Sequence, residues 1–279
     1  MKKWHLIIDV EKCVDCNNCF MSCKDEHVDN DWPGYTWPQP RHGHRWINIM
    51  RAERGQYPLV DVAYRPTPCM HCADAPCIHA SKGSITKRAD GIVMIDPVKA
   101  KGQQEVVNAC PYQAIWWNQE QEVPQKCTLC AHLLDQGWKQ PRCVQACPTG
   151  ALRAVCADDT EMSRICTAEK LEVLQPEANT QPSVFYKNLY RFNKCFIGGS
   201  IAANRKGIVD CIEGAKVTLL QGKDKLAETI TDTFGDFKFD QLAKNSGKYV
   251  IQVQKPGFSA AEVTLELTSS TNIGTIYLS

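Results

Sequence analysis

Four cysteines within eleven residues, Cys13-x-x-Cys16-x-x-Cys19-x-x-x-Cys23 in the segment CVDCNNCFMSC, constrain this chain more than any other feature. At this spacing one short loop can wrap three corners of a 4Fe-4S cubane with thiolates, while the more distant fourth cysteine points toward a neighbouring site. A reciprocal run is therefore required. It is present as Cys127-x-x-Cys130 followed by Cys143-x-x-x-Cys147-Pro148, and the closing Cys-Pro marks the ligand that crosses over. The exchange predicts one cluster on Cys13, Cys16, Cys19 and Cys147, and a second on Cys127, Cys130, Cys143 and Cys23.

A third group, Cys69-x-x-Cys72-x-x-x-x-Cys77, supplies three thiolates and takes its fourth from Cys110-Pro111. If Cys110 closes a run of its own, the matching ligands of a further cluster fall at positions 100, 103, 106 and 81, which hold Ala100, Gln103, Val106 and Ser81. One complete ligand set is missing while three are complete, which reads as a four-cluster plan with one cluster deleted. Structural zinc uses Cys-x-x-Cys pairs in fours but leaves the triple run and both Cys-Pro endings unexplained. Covalent haem needs Cys-x-x-Cys-His, and neither His71 nor His132 stands at that offset. His42 and His44 are expected at a surface or interface, without a metal role. The remaining thiols Cys156, Cys166, Cys195 and Cys211 are expected to be free and buried, since cluster assembly implies a reducing compartment.

With 279 residues the chain is long for one domain and comfortable for two. The N-terminus has no twin arginine, no small-residue cleavage site and only a very short apolar run before Asp9, so the cytoplasm is the expected compartment. No apolar stretch approaches the roughly 18 residues of a membrane span, so direct membrane contact is not expected. A formal net charge of +1 gives no electrostatic case for nucleic acid, and Lys87-Arg88 reads as solvated surface.

The predicted fold is α+β: a bacterial-ferredoxin-like multi-cluster domain over residues 1–195, then an all-β sandwich over residues 196–279. Short strands are expected at Gly91–Asp96 and Ala114–Trp117, with helices after the Cys-Pro turns. The insertion over residues 25–68 carries Trp32, Trp37 and Trp46. These indoles either form an interface or cover the chain's own clusters. From about residue 200 the pattern alternates with period two: Val217 and Leu219; Phe237 and Phe239; Tyr249, Ile251 and Val253; Val263, Leu265 and Leu267. Turns at Phe234-Gly235-Asp236 and Pro256-Gly257 complete the signature of an antiparallel sandwich. It carries no acid-base pair, nucleophile elbow or phosphate loop, so a docking or structural role is expected.

The cysteine plan resembles the iron-sulfur subunits of molybdopterin enzymes of the dimethyl sulfoxide reductase family. More narrowly, DCNNCFMSCKDEH, WPGYT, RPTPCMHCADAPC, ACPYQAIWWN, QKCTLCAHLLD and YKNLYRF are similar to small subunits of pyrogallol-phloroglucinol transhydroxylases and resorcinol hydroxylases. The likeness extends to the sandwich, which resembles transthyretin-like and carboxypeptidase regulatory-like modules. It implies a large partner in a heterodimer, carrying bis-molybdopterin guanine dinucleotide molybdenum and hydroxylating or transhydroxylating polyhydroxybenzenes. This chain would then be the non-catalytic electron-transfer subunit with three 4Fe-4S clusters. The competing expectations are the iron-sulfur wire of an anaerobic respiratory molybdenum reductase fed by a membrane quinol subunit, and a free-standing polyferredoxin.

Overall fold

The computed structural model describes residues 1–205 and 207–279. Two compact units emerge: Met1–Arg51 with Ala63–Leu189, and Ala52–Val62 with Tyr190–Ser279. This corrects the expected division at 195/196. The boundary falls earlier along the chain, and the second unit also recruits an excursion from the first half of the sequence.

In the first unit the strand Lys3–Asp9 is the middle of a three-stranded sheet, antiparallel to Leu152–Ala157 and parallel to Val184–Lys187. Leu6, Ile7 and Ile8 are all buried. A strand covered on both faces reads as a continuous apolar run rather than an alternation. Ile7 packs with Ala157 and Met162, the latter on the helix Asp159–Glu169. Asp158 caps that helix by accepting a 2.9 Å hydrogen bond from the Glu161 N–H, one half of a capping box.

Around the cysteine runs the elements are small. Two hairpins, Ile85–Lys87 with Val93–Ile95 and Ile115–Asn118 with Val123–Lys126, alternate with the helices Asn18–His27, Pro76–Ala80, Ala131–Asp135 and Arg142–Gln145. Helices of one turn are unstable alone, so loops and packing must hold them. Both expected strands are present. The expected helices after Cys-Pro are not: strands Ile115–Asn118 and Leu152–Ala157 follow, and the short helices precede the Cys-Pro turns. Pro111 and Pro148 lead into a turn that reverses the chain, and the apolar residues beyond it suit a sheet.

The insertion forms a hairpin of two ten-residue strands, Ile47–Gln56 and Leu59–Pro68, which the sequence reading did not anticipate. Its first half folds onto the first unit. Trp46 is 1% exposed and lies 4.7 Å from the His27 ring, and Trp32 stacks on His132 at 4.0 Å. These two indoles therefore cover the chain's own interior.

The second unit contains two four-stranded sheets. In one, Cys195–Arg205 pairs antiparallel with Ile208–Cys211 and Asp236–Leu242, and parallel with Thr271–Leu278. The expectation of a wholly antiparallel sandwich is corrected by that closing strand. The other sheet runs Asp224–Ile230, Lys216–Gln221, Gly247–Gln254, Ala261–Leu267, all antiparallel. Every alternating residue named from the sequence faces the core or its margin, with Val217, Leu219, Ile251 and Val253 fully buried against Phe237 and Phe239. Gly235 turns with φ +78°, and a Cβ there would lie 2.4 Å from the Ile201 carbonyl oxygen, so only glycine fits.

Ala52–Val62 belongs to this unit through a half-buried ion cluster. The Arg54 guanidinium donates to Asp61 and, in a fork, to Asp240 at 2.6 and 2.9 Å, while Arg191 binds Asp61 from the other side. Burial acts to raise the Asp240 carboxyl, but the Arg54 hydrogen bonds outweigh it and hold the group below its ordinary range.

Candidate metal centre

The turns Cys13-x-x-Cys16, Cys69-x-x-Cys72 and Cys127-x-x-Cys130 are built in the same way. The residue two positions after the first cysteine is in the left-handed conformation, with φ of 56° at Asp15, 46° at His71 and 52° at Leu129. That twist turns its N–H back onto the sulfur. His71 N donates to Cys69 Sγ at 3.5 Å, Leu129 N to Cys127 Sγ at 3.3 Å, and Asp15 N to Cys13 Sγ. Non-glycine residues adopt this conformation at a cost of roughly 1–2 kcal/mol each, so three such turns beneath three sulfurs are cradles built for charged sulfur. Ala114 N completes a fourth such bond, to Cys110 Sγ at 3.5 Å.

The thiols fall into three sets. Cys19 is electrostatically coupled to Cys13, Cys147 and Cys16. Cys143 is coupled to Cys130, Cys127 and Cys23. Cys72 is coupled to Cys69, Cys110 and Cys77. Cys147 thus stands near Cys13, Cys16 and Cys19, and Cys23 near Cys127, Cys130 and Cys143. The sets also adjoin one another: Cys19 acts on Cys143 less than that residue's own set does, whereas Cys69 is the neighbouring sulfur that acts most on Cys127. Among the described residues no three His, Cys, Asp or Glu side chains close on a single-ion centre.

Burial, reinforced by neighbouring sulfurs, pushes the thiols of Cys19, Cys72 and Cys130 up to about 12 and those of Cys77 and Cys127 up to about 11. Cys23 and Cys143 rise further for the same reason. Such thiols stay protonated at neutral pH unless a metal takes the proton's place. The donor set, the N–H groups aimed at sulfur and the buried Thr128 Oγ1 and His71 Nε2, which have no hydrogen-bond partner, all suit sulfur-bridged iron.

The positions at which the sequence is expected to lack a fourth ligand set are packed shut. Ala100, Val106 and Ser81 are fully buried; Ser81 Oγ donates to Ile78 O at 2.8 Å and accepts from Ile85 N, and Ser84 Oγ lies 3.0 Å from Gln103 Oε1.

Several side chains around the sets were not found from the sequence. His132 Nε2 lies 2.9 Å from Glu26 Oε1, and Glu26 also meets Arg142 Nε at 3.1 Å, beside Cys130. Lys126 is buried beside Cys127. Lys87 donates to the backbone oxygens of Cys72 and His71, so the reading of Lys87-Arg88 as solvated surface is corrected: Lys87 lines the third set and Arg88 is paired with Asp90 and Asp135. His44 is also corrected. It is buried, with Nε2 2.9 Å from the Trp117 carbonyl oxygen, while His42 is exposed. Of the leftover cysteines, all free, only Cys195 is buried; Cys166 is intermediate, and Cys156 and Cys211 are exposed on strands.

A ferredoxin-type unit with paired cysteine runs, followed by an all-β unit of regulatory-domain type, defines an iron-sulfur electron-transfer protein. Residues 60–156 match the 4Fe-4S dicluster domain, and residues 205–279 match the carboxypeptidase regulatory-like domain. Over its whole length the chain is 47% identical to the pyrogallol hydroxytransferase small subunit of Pelobacter acidigallici, all of which is covered. It is 32% identical to a tetrathionate reductase subunit of Salmonella typhimurium, over 67% of this chain and 73% of that one. It is 29% identical to the arsenate respiratory reductase iron-sulfur subunit of a Shewanella species, over 65% of this chain and 94% of that one. The chain belongs to the iron-sulfur subunit family that includes the pyrogallol hydroxytransferase small subunit.

Proposed function

We propose that this chain is the electron-transfer subunit of a cytoplasmic heterodimer whose large subunit carries bis-molybdopterin guanine dinucleotide molybdenum and hydroxylates or transhydroxylates a polyhydroxybenzene. The ligands are Cys13, Cys16, Cys19 and Cys147 for a first cluster, Cys23, Cys127, Cys130 and Cys143 for a second, and Cys69, Cys72, Cys77 and Cys110 for a third. Each 4Fe-4S cluster, when bound, supplies reversible one-electron exchange. The chain's own residues hold the sulfurs and direct N–H groups at them.

The observation that carries this reading is the gathering of twelve cysteines into three adjoining sets, with Cys19 near Cys143 and Cys69 near Cys127. A store-and-forward wire needs such a series, and a structural metal does not. The match over the full chain to a hydroxytransferase subunit favours the phenolic substrate class over respiratory reductases, whose subunits match about two thirds of the chain. Among the described residues no helix is long and apolar enough to cross a membrane.

The test is to purify the native complex, analyse its metals and assay it with trihydroxybenzenes and resorcinol. The expected result is a large molybdenum-containing partner and twelve iron with twelve acid-labile sulfide on this chain, four of each per cluster. A lone 31.3 kDa chain without a partner would overturn the subunit assignment. Sixteen iron would mean that the Ser81 site is intact.

A further inference from the structure

The three thiol sets differ in the fixed charge around them. Beside the first set the Asp15 carboxylate faces Cys13 but is itself paired with the Arg51 guanidinium, so no uncancelled positive charge stands there. The middle set meets both signs: Lys24 at Cys23, Glu26 and Arg142 at Cys130, and Lys126 at Cys127. At the third set the charge is positive. The ammonium of Lys87 acts on Cys72 and Cys69, and that of Lys126 acts on Cys77 and Cys110. All four sulfurs of the set are thus divided between two lysines.

The geometry holds both charges in place. Lys126 is 3% exposed, and its Nζ donates to Val93 O at 2.5 Å and Cys127 O at 3.1 Å, both neutral carbonyl oxygens that leave its charge uncancelled. Lys87 Nζ donates to Cys72 O at 2.8 Å and His71 O at 3.3 Å. Asp159 and Lys3 also act on Lys87, with opposite signs. Asp159 is itself held at 2.8 Å by Lys3.

Adding one electron to a cluster adds one negative charge, and in a buried, weakly screened site a fixed ammonium favours that state. We propose that Lys126 and Lys87 make the cluster held by Cys69, Cys72, Cys77 and Cys110 the highest-potential of the three, so that an electron entering at the first cluster collects at the third. This rests on the three-cluster reading above. The two lysines act as positioning charges for the electron and take no part in chemistry at the partner's site.

The experiment is a redox titration of the intact complex followed by electron paramagnetic resonance, with iron analysis of each sample. The third cluster's signal is identified as the one lost in Cys110→Ala. In the unsubstituted complex it should be the first to appear on reduction. Lys126→Gln should shift its reduction equilibrium about tenfold, 59 mV for one electron, toward the oxidised form, and Lys126→Arg should leave it nearly in place. The first cluster's signal should not move. Lys87 is only half-buried, so Lys87→Gln provides a second variant whose shift should have the same sign should Lys126→Gln lose iron.

The proposal is overturned if the signal lost in Cys110→Ala is not the highest in potential. It is equally overturned if iron-replete lysine variants leave that signal where it was, or shift all three signals alike. Fewer than three signals in the unsubstituted complex would instead overturn the three-cluster reading itself.

Discussion

Cys23 is coupled more strongly to Cys127, on a remote run, than to Cys19 in its own. The helix Asn18–His27 produces this relationship by carrying Cys23 one turn beyond Cys19 and burying it against the Cys127 loop. Cys23→Ala should therefore damage the cluster of Cys127, Cys130 and Cys143, and Cys147→Ala the cluster of Cys13, Cys16 and Cys19. Cys110→Ala should affect only the third cluster. Site-resolved spectroscopy decides, and a Cys23 variant that harms only the cluster of its own run would break the crossing.

Loading iron into the empty chain should release protons. With Cys19, Cys72 and Cys130 pushed up to about 12 by burial, and Cys77 and Cys127 to about 11, each such thiol gives up roughly one proton when its cluster forms at pH 7. Reconstitution in weak buffer with a pH indicator measures the release. A yield far below one proton per ligand thiol would mean that other donors hold the iron.

Acid should destabilise the first unit through His27. Burial, aided by neighbouring His132, lowers this imidazole to about 3 from its ordinary 6.5. A depressed histidine contributes stability that is complete above the unfolded value, and that stability is lost as pH falls from 6.5 toward 3. The slope there is about 1.4 kcal/mol per pH unit. His27→Leu should flatten that part of the profile in denaturant unfolding between about pH 6.5 and 4.5. An unchanged slope would place the acid sensitivity in other groups. All seven tryptophans lie at or before Trp138, within the first unit, so indole fluorescence follows this unit alone.

Arg54→Met should destabilise the second unit by about 2 kcal/mol, between the values for exposed and buried ion pairs, because half-buried Asp240 loses its fork and keeps only Lys238 at 3.1 Å. Arg191 still serves Asp61, which limits the loss. Circular dichroism of the β signal during unfolding measures it, and a loss under about 1 kcal/mol would show that water replaces the guanidinium freely.

The cysteine runs were legible because iron chemistry fixes both donor type and spacing, so Cys13 to Cys23 and Cys127 to Cys147 announce each other across the chain. The sandwich was legible because Val217, Leu219, Tyr249 and Ile251 repeat the pleat without interruption. The strand Lys3–Asp9 was hidden because burial on both faces erases the alternation that marks a strand. The left-handed turn at Leu129 was hidden because nothing in that residue type favours the conformation, and His71 favours it only weakly; the sulfur beneath each N–H does. The burial of Lys126 and His44 depends on neighbours distant in the chain, Val93 for one and Trp117 for the other. The capping box at Asp158-x-x-Glu161 was in plain view and would have placed the helix Asp159–Glu169.

The hairpin Ile47–Gln56/Leu59–Pro68 affects how the protein can be made. Its tip, Ala52–Val62, leaves the ribosome long before Asp240 and Phe196, yet it belongs to the unit they form. At Gly55, φ is +87° and a Cβ would meet Leu59 O at 2.4 Å and Phe196 Cζ at 2.5 Å, so the tip is shaped for a partner not yet synthesised. A nascent chain can finish its cluster-binding half and still hold one unfinished turn until Phe196 and Asp240 have been made. Cutting the gene between Leu189 and Tyr190 would therefore separate two pieces of which neither is whole.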